Sequence, residues 1–124
     1  MDHQKVFSTH IFVKDNYLAP QRLPAMWDQI NELYAHGKRN NNWQTGPDLH
    51  KTEPFKWFAN DIGKTAFDII DKLNYNVEQI EITGMWGNIL QPGETHPPHT
   101  HSNNFLSGVF YLESDAETGI IFSD

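Results

Sequence analysis

Gln91-Pro92-Gly93-Glu94-Thr95-His96-Pro97-Pro98-His99-Thr100-His101 places three of the chain's seven histidines within six positions, behind a Pro-Gly turn and two further prolines. It leads into Phe105-Leu106-Ser107-Gly108-Val109-Phe110-Tyr111-Leu112, which is apolar on both faces and reads as a strand covered on both sides. In an extended chain, residues i and i+2 project from one face about 6–7 Å apart. His99 and His101 can therefore turn their imidazoles onto a single ion at about 2.0–2.2 Å per bond. Imidazole is a ligand for zinc, iron, copper and nickel. His96 lies three residues back across two prolines, so it faces elsewhere and is read as lining the mouth of a pocket. Gly93 lets the chain turn sharply, and the prolines limit its freedom before a metal arrives. The plain alternative is a solvated loop whose histidines hold nothing, since a lone His-x-His arises by chance.

Upstream of this segment the pattern has period two. Ile80, Ile82, Gly84, Trp86, Asn88 and Leu90 share one face of an expected strand, and Gln79, Glu81, Thr83, Met85, Gly87 and Ile89 share the other. The first face is apolar except for Asn88, which is expected to be buried and hydrogen-bonded. Its amide either makes a structural bond to a loop or faces a ligand beside the metal.

The first half of the chain reads as helical. Pro24 suits a first helical turn, and Met26, Trp27, Ile30, Leu33 and Tyr34 form one apolar stripe that stops at Gly37. Lys38 and Arg39 then sit at the negative end of that helix. A polar loop follows, with Asn40-Asn41-Asn42 and Gly46-Pro47; Trp43 within it is expected to fold back on the core. Thr52 is the expected N-cap of a second helix, with Glu53 and Pro54 in its first turn. Phe55, Phe58, Ala59, Ile62, Ala66, Ile69, Ile70 and Leu73 keep helical period, and Asn74 breaks it. Both stripes are read as core, with no chemistry on them. Short strands are expected over residues 6–13, closed by Lys14-Asp15-Asn16, and over 120–122 after a polar turn at 113–117.

Composition bounds the function. With 124 residues, 38% of them hydrophobic, the chain can bury a core as one domain. The formal charge of −7 is spread along the chain without a basic patch, which argues against nucleic acid and anionic lipid as partners. There are no cysteines, so neither disulfides nor thiolate metal sites are available, which fits a reducing compartment. No stretch approaches the ~20 apolar residues of a membrane span. The expected location is cytoplasmic.

Met85-Trp86-Gly87-Asn88-Ile89-Leu90-Gln91-Pro92-Gly93, His99-Thr100-His101 and residues 106–112 together resemble a family of 2-oxoglutarate- and Fe(II)-dependent oxygenases of marine bacteria and their phages. Asn42-Trp43-Gln44-Thr45, Pro47-Asp48-Leu49-His50 and Phe55 resemble that family's N-terminal portion. The resemblance implies an α+β protein built on a double-stranded β-helix (a jelly roll, cupin-like), with residues 1–75 as a helical buttress and 76–124 as the first part of the β-helix. It implies Fe(II) held by a facial triad and 2-oxoglutarate beside it as small-molecule co-substrate, used to hydroxylate an unidentified substrate. His99 matches the first iron ligand. His101 stands where better-known members carry Asp or Glu. Asn88 and Tyr111 are the candidate cofactor-binding residues. The family's second-motif histidine and its basic residue for the 2-oxoglutarate carboxylate would come later; no His follows His101, and no Arg or Lys follows Lys72. The chain is therefore expected to be an incomplete β-helix: a fragment, a truncated phage-type gene product, or a half completed by a second copy or another chain.

Two other readings stay open. Gly93, five residues, then His-x-His reproduces the opening of a cupin first motif, although Phe105 and Leu106 stand where that motif has Glu. The chain would then be a cupin-like metal or small-molecule module. The last reading is a non-catalytic structural or assembly domain with unliganded histidines.

Overall fold

The computed structural model describes residue 1 and residues 9–38, 40–101, 103–115 and 119–120. Their architecture is α+β. A 3-10 turn at Pro20–Arg22 leads into α1 (Leu23–His36), then β1 (Trp43–Gln44), a second 3-10 turn at Leu49–Lys51, α2 (Phe55–Lys72) and β2 (Asn88–Ile89). No helix among the described residues is long and apolar enough to cross a membrane.

Both helices form where their apolar periodicity places them. Pro24 occupies the first turn of α1, where its missing N–H costs nothing, and Gly37 is the C-cap. Met26 and Ile30 are buried, Leu23, Leu33 and Tyr34 pack beside them, and Trp27 turns outward. Helix α2 buries Phe55, Phe58 and Ile70. Asn74 ends it in the left-handed region, at φ +60°. The N–H of Tyr75 donates to the Ile70 carbonyl and that of Asn74 to the Asp71 carbonyl, so the last turn closes as a Schellman motif.

The start of α2 differs from expectation. Pro54, not Thr52, is its N-cap. The Thr52 hydroxyl donates instead to the Leu49 carbonyl, closing the preceding 3-10 turn, and the Thr52 carbonyl accepts from the Lys56 N–H.

One core cluster joins Leu18, Met26, Ile30, Trp43, Leu49, Phe55 and Phe58. Trp43 does fold back from its polar loop, edge-on to Tyr34 at 5.2 Å between ring centres. Tyr17 fastens the N-terminal segment to α2. Its hydroxyl donates to the Asp61 carbonyl at 3.1 Å and pairs with the Thr65 hydroxyl at 2.6 Å.

The β structure is where the fold departs most from the sequence reading. β1 and β2 pair antiparallel, Trp43 opposite Ile89 and Gln44 opposite Asn88. Bonds from Met85 N–H to the Pro47 carbonyl and from Leu49 N–H to the Met85 carbonyl continue the seam. No jelly roll is present among the described residues, because that fold needs two facing sheets and only this short seam is paired. Residues 105–112 form no strand and are not covered on both sides. Phe110 and Leu112 pack on the core, while Phe105, Leu106, Val109 and Tyr111 are exposed. Phe110 meets Phe58 at 5.1 Å and Tyr17 at 6.4 Å, so helix α2 covers one side of the segment, and no second layer among the described residues covers the other.

Residues 9–13 are irregular and exposed, and Asn16, at φ +52°, turns the chain after them. The rest of the strand expected at 6–13, namely Val6, Phe7 and Ser8, lies outside the described residues, as does Arg39. So do Ala116 and Glu117 of the expected turn, and Ile121 and Phe122 of the last expected strand.

Candidate metal centre

The histidine segment hangs from a turn built by its own residues. Pro92 and Gly93 occupy the centre of a type II turn, in which the third residue needs a positive φ. Gly93 supplies it at +86°. The Glu94 N–H donates to the Gln91 carbonyl at 3.0 Å and closes the turn. Thr95 follows, and Pro97 and Pro98 then hold the chain extended up to His99.

His99 and His101 come together. Their ring centres are 4.9 Å apart, with planes at 79°. Two imidazoles bound side by side to one ion, at about 2.0–2.1 Å per bond, have ring centres about 4.5–5 Å apart. His99 Nδ1 lies 2.9 Å from the Pro97 carbonyl. A carbonyl only accepts, so this bond forms in the tautomer with the proton on Nδ1, in which Nε2 is the nitrogen able to bind an ion. A backbone carbonyl on the second ring nitrogen is the support that metal-ligating histidines use.

His96 lies 6.3 Å from His99 by ring centres, farther than His101 does. All three rings are exposed. Among the described residues, no group of three His, Asp or Glu side chains is gathered for a metal. The group brought together is thus two imidazoles. It suits iron, zinc, copper or nickel on ligand type.

Asn88 is placed differently from the expectation. The strand expected over 79–90 is formed only at β2, with an isolated bridge at Met85, and its burial changes phase at Gly84 and Met85: Ile80, Ile82 and Gly84 are half-buried, and then Met85, Gly87 and Ile89 continue inward. Trp86, Asn88 and Leu90 face outward, and Asn88 is exposed. Its amide donates to Gln44 Oε1 at 3.0 Å across the strand pair, so the bond is there although the burial is not. Helix α1 passes close by here: a Cβ on Gly87 would lie 2.6 Å from Ile30 Cδ1, the end of its side chain. Gly87 is clamped there, its N–H donating to the Thr45 hydroxyl and its carbonyl accepting from the Thr45 N–H.

The same shift brings Trp86 to the histidines. Its ring lies 6.2 Å from His101 and only 34° from parallel. The sequence reading counted Trp86 as core. Both faces of residues 79–90 carry apolar side chains, so their alternation alone did not fix the phase; Gly87 opposite a helix was the signal that could have. Tyr111 is exposed on the outward set of its segment, with Val109. Glu94 was also overlooked, though an acid closing a Pro-Gly turn is well placed to accept backbone N–H groups.

Comparison with known families adds to this geometry. Residues 84–123 match the model of a family described as "Putative 2OG-Fe(II) oxygenase". That match spans about a third of the chain, from just before Trp86 through the histidine pair and the 105–112 segment. No curated protein and no solved structure matches.

Proposed function

We propose that this chain is a non-haem, Fe(II)- and 2-oxoglutarate-dependent dioxygenase domain that hydroxylates a substrate still to be identified, and that His99 and His101 hold its iron. The observation that carries the reading is the 4.9 Å imidazole pair with His99 Nδ1 tied to the Pro97 carbonyl. The oxygenase family match over the same residues supports it. When bound, iron and 2-oxoglutarate supply oxidation of a substrate C–H bond by dioxygen.

The chain's own residues then have distinct tasks. His99 offers Nε2 from a ring whose tautomer is already fixed. His101 offers the second imidazole, with Trp86 as a flat apolar wall beside it. Asn88 and Tyr111, both exposed, are proposed to face the co-substrate. The jelly roll that the family implies would be completed by a second copy of the chain, covering the exposed Phe105, Leu106, Val109 and Tyr111. A cytoplasmic location accords with the absence of cysteine.

Calorimetric titration under anaerobic conditions tests the reading. The expected result is one Fe(II) bound per chain, and 2-oxoglutarate bound only after Fe(II). Iron binding without 2-oxoglutarate binding would favour a cupin-like metal module. No metal binding would leave a structural or assembly domain.

A further inference from the structure

Glu94 fastens the turn of the histidine segment to the helical half of the molecule. Its Oε2 accepts the Gln91 N–H at 3.1 Å within the turn. The same oxygen accepts the Asn42 N–H, also at 3.1 Å, from a loop 52 positions away. Asn42 is held in the left-handed region at φ +54°. The turn has a second tether: the Gln91 side-chain amide donates to the Tyr34 hydroxyl on α1 at 3.3 Å. Bonds to an ionised carboxylate are roughly twice as strong as neutral ones. Glu94 is half-buried, and both bonds lie at the exposed surface.

From these contacts we propose that Glu94 is the positioning residue of the His99/His101 pair; this rests on the metal-centre reading above. Thr95 and His96 are the only residues between Glu94 and the Pro97-Pro98 pair. Proline fixes its own φ and restricts the residue before it. The direction set at Glu94 is therefore carried to Pro97, whose carbonyl holds His99 Nδ1. A carboxylate that touches no ligand thus sets where the first imidazole points.

The test compares wild type with Glu94→Ala, Glu94→Gln and Thr65→Val. Thr65→Val removes the partner of the Tyr17 hydroxyl on α2 and so lowers stability far from the histidines. Fe(II) affinity is read by anaerobic calorimetry, and the ring-nitrogen NMR shifts of His99 are read without metal. Loss of an outer-sphere support typically weakens a metal site about 10–100-fold, and Glu94→Ala is expected to fall in that range. It should also move the His99 shifts away from the Nδ1-protonated form. Glu94→Gln keeps an acceptor oxygen and should recover most of the affinity and the wild-type shifts. Thr65→Val should lower the unfolding midpoint with Fe(II) affinity unchanged. Wild-type affinity in Glu94→Ala overturns the proposal, and so does an equal loss in Thr65→Val. Were wild type to bind no Fe(II), the metal-centre reading would fail by itself. Unchanged His99 shifts in Glu94→Ala would then overturn the positioning role, and changed ones would sustain it.

Discussion

His99 and His101 are interchangeable as ligand types but not in their surroundings, since only His99 has a ring nitrogen tied to a backbone carbonyl in the segment. Replacing either by Ala is expected to abolish measurable Fe(II) binding in anaerobic calorimetry. His96→Ala should leave it unchanged, because that ring stays 6.3 Å from His99 and outside the pair. A result in which His96→Ala alone weakened binding would make the wrong pair the ligand set. Trp86 gives a second readout. It lies 6.2 Å from His101, so Co(II) or Cu(II) at the pair should quench its fluorescence. Trp86→Phe should remove most of that response, although Trp27, Trp43 and Trp57 remain. The pair was legible from sequence because i and i+2 spacing suffices to bring two imidazoles together. Trp86 and Glu94 were not, since each depends on a contact made across the fold, with α1 and with the Asn42 loop.

At the scale of elements, α1, α2 and the inward fold of Trp43 were legible, because helical periodicity and a lone Trp among polar residues each have one good packing solution. The phase of residues 79–90 was not. Two apolar faces compete there, and Gly87 lies on the one that packs beside Ile30. Gly87→Ala puts a methyl 2.6 Å from Ile30 Cδ1, whose end must turn aside, and is expected to destabilise the fold by about 1 kcal/mol. A shift in the urea midpoint at constant slope measures it. An unchanged midpoint would mean that the strand does not pass the helix this closely. The 105–112 segment offers a matched pair. Phe110→Ala should lower the midpoint clearly, since its ring packs on Phe58 and Tyr17. Val109→Ala, at an exposed position, should stay within about 0.5 kcal/mol. Equal losses at both positions would restore the reading of a segment covered on both sides.

For the molecule as a whole, the helical half carries the core, and the second half presents an imidazole pair together with exposed Trp86, Leu90, Phe105, Leu106, Val109 and Tyr111. So much apolar surface on adjoining segments is uncommon on a monomer. Sedimentation should therefore show self-association that Phe105→Ser with Val109→Ser reverses; a monomer at all concentrations would count against a second copy as the covering wall. A jelly roll was expected only from the family resemblance, and none is present among the described residues. The proposal is that His99 and His101 hold an iron able to take 2-oxoglutarate. Anaerobic absorption spectroscopy of the Fe(II)-loaded chain, as 2-oxoglutarate is added, tests it. A weak visible metal-to-ligand charge-transfer band is expected that saturates with 2-oxoglutarate and is missing in His99→Ala and His101→Ala. No band in the wild-type chain, or a band that survives both substitutions, would contradict it.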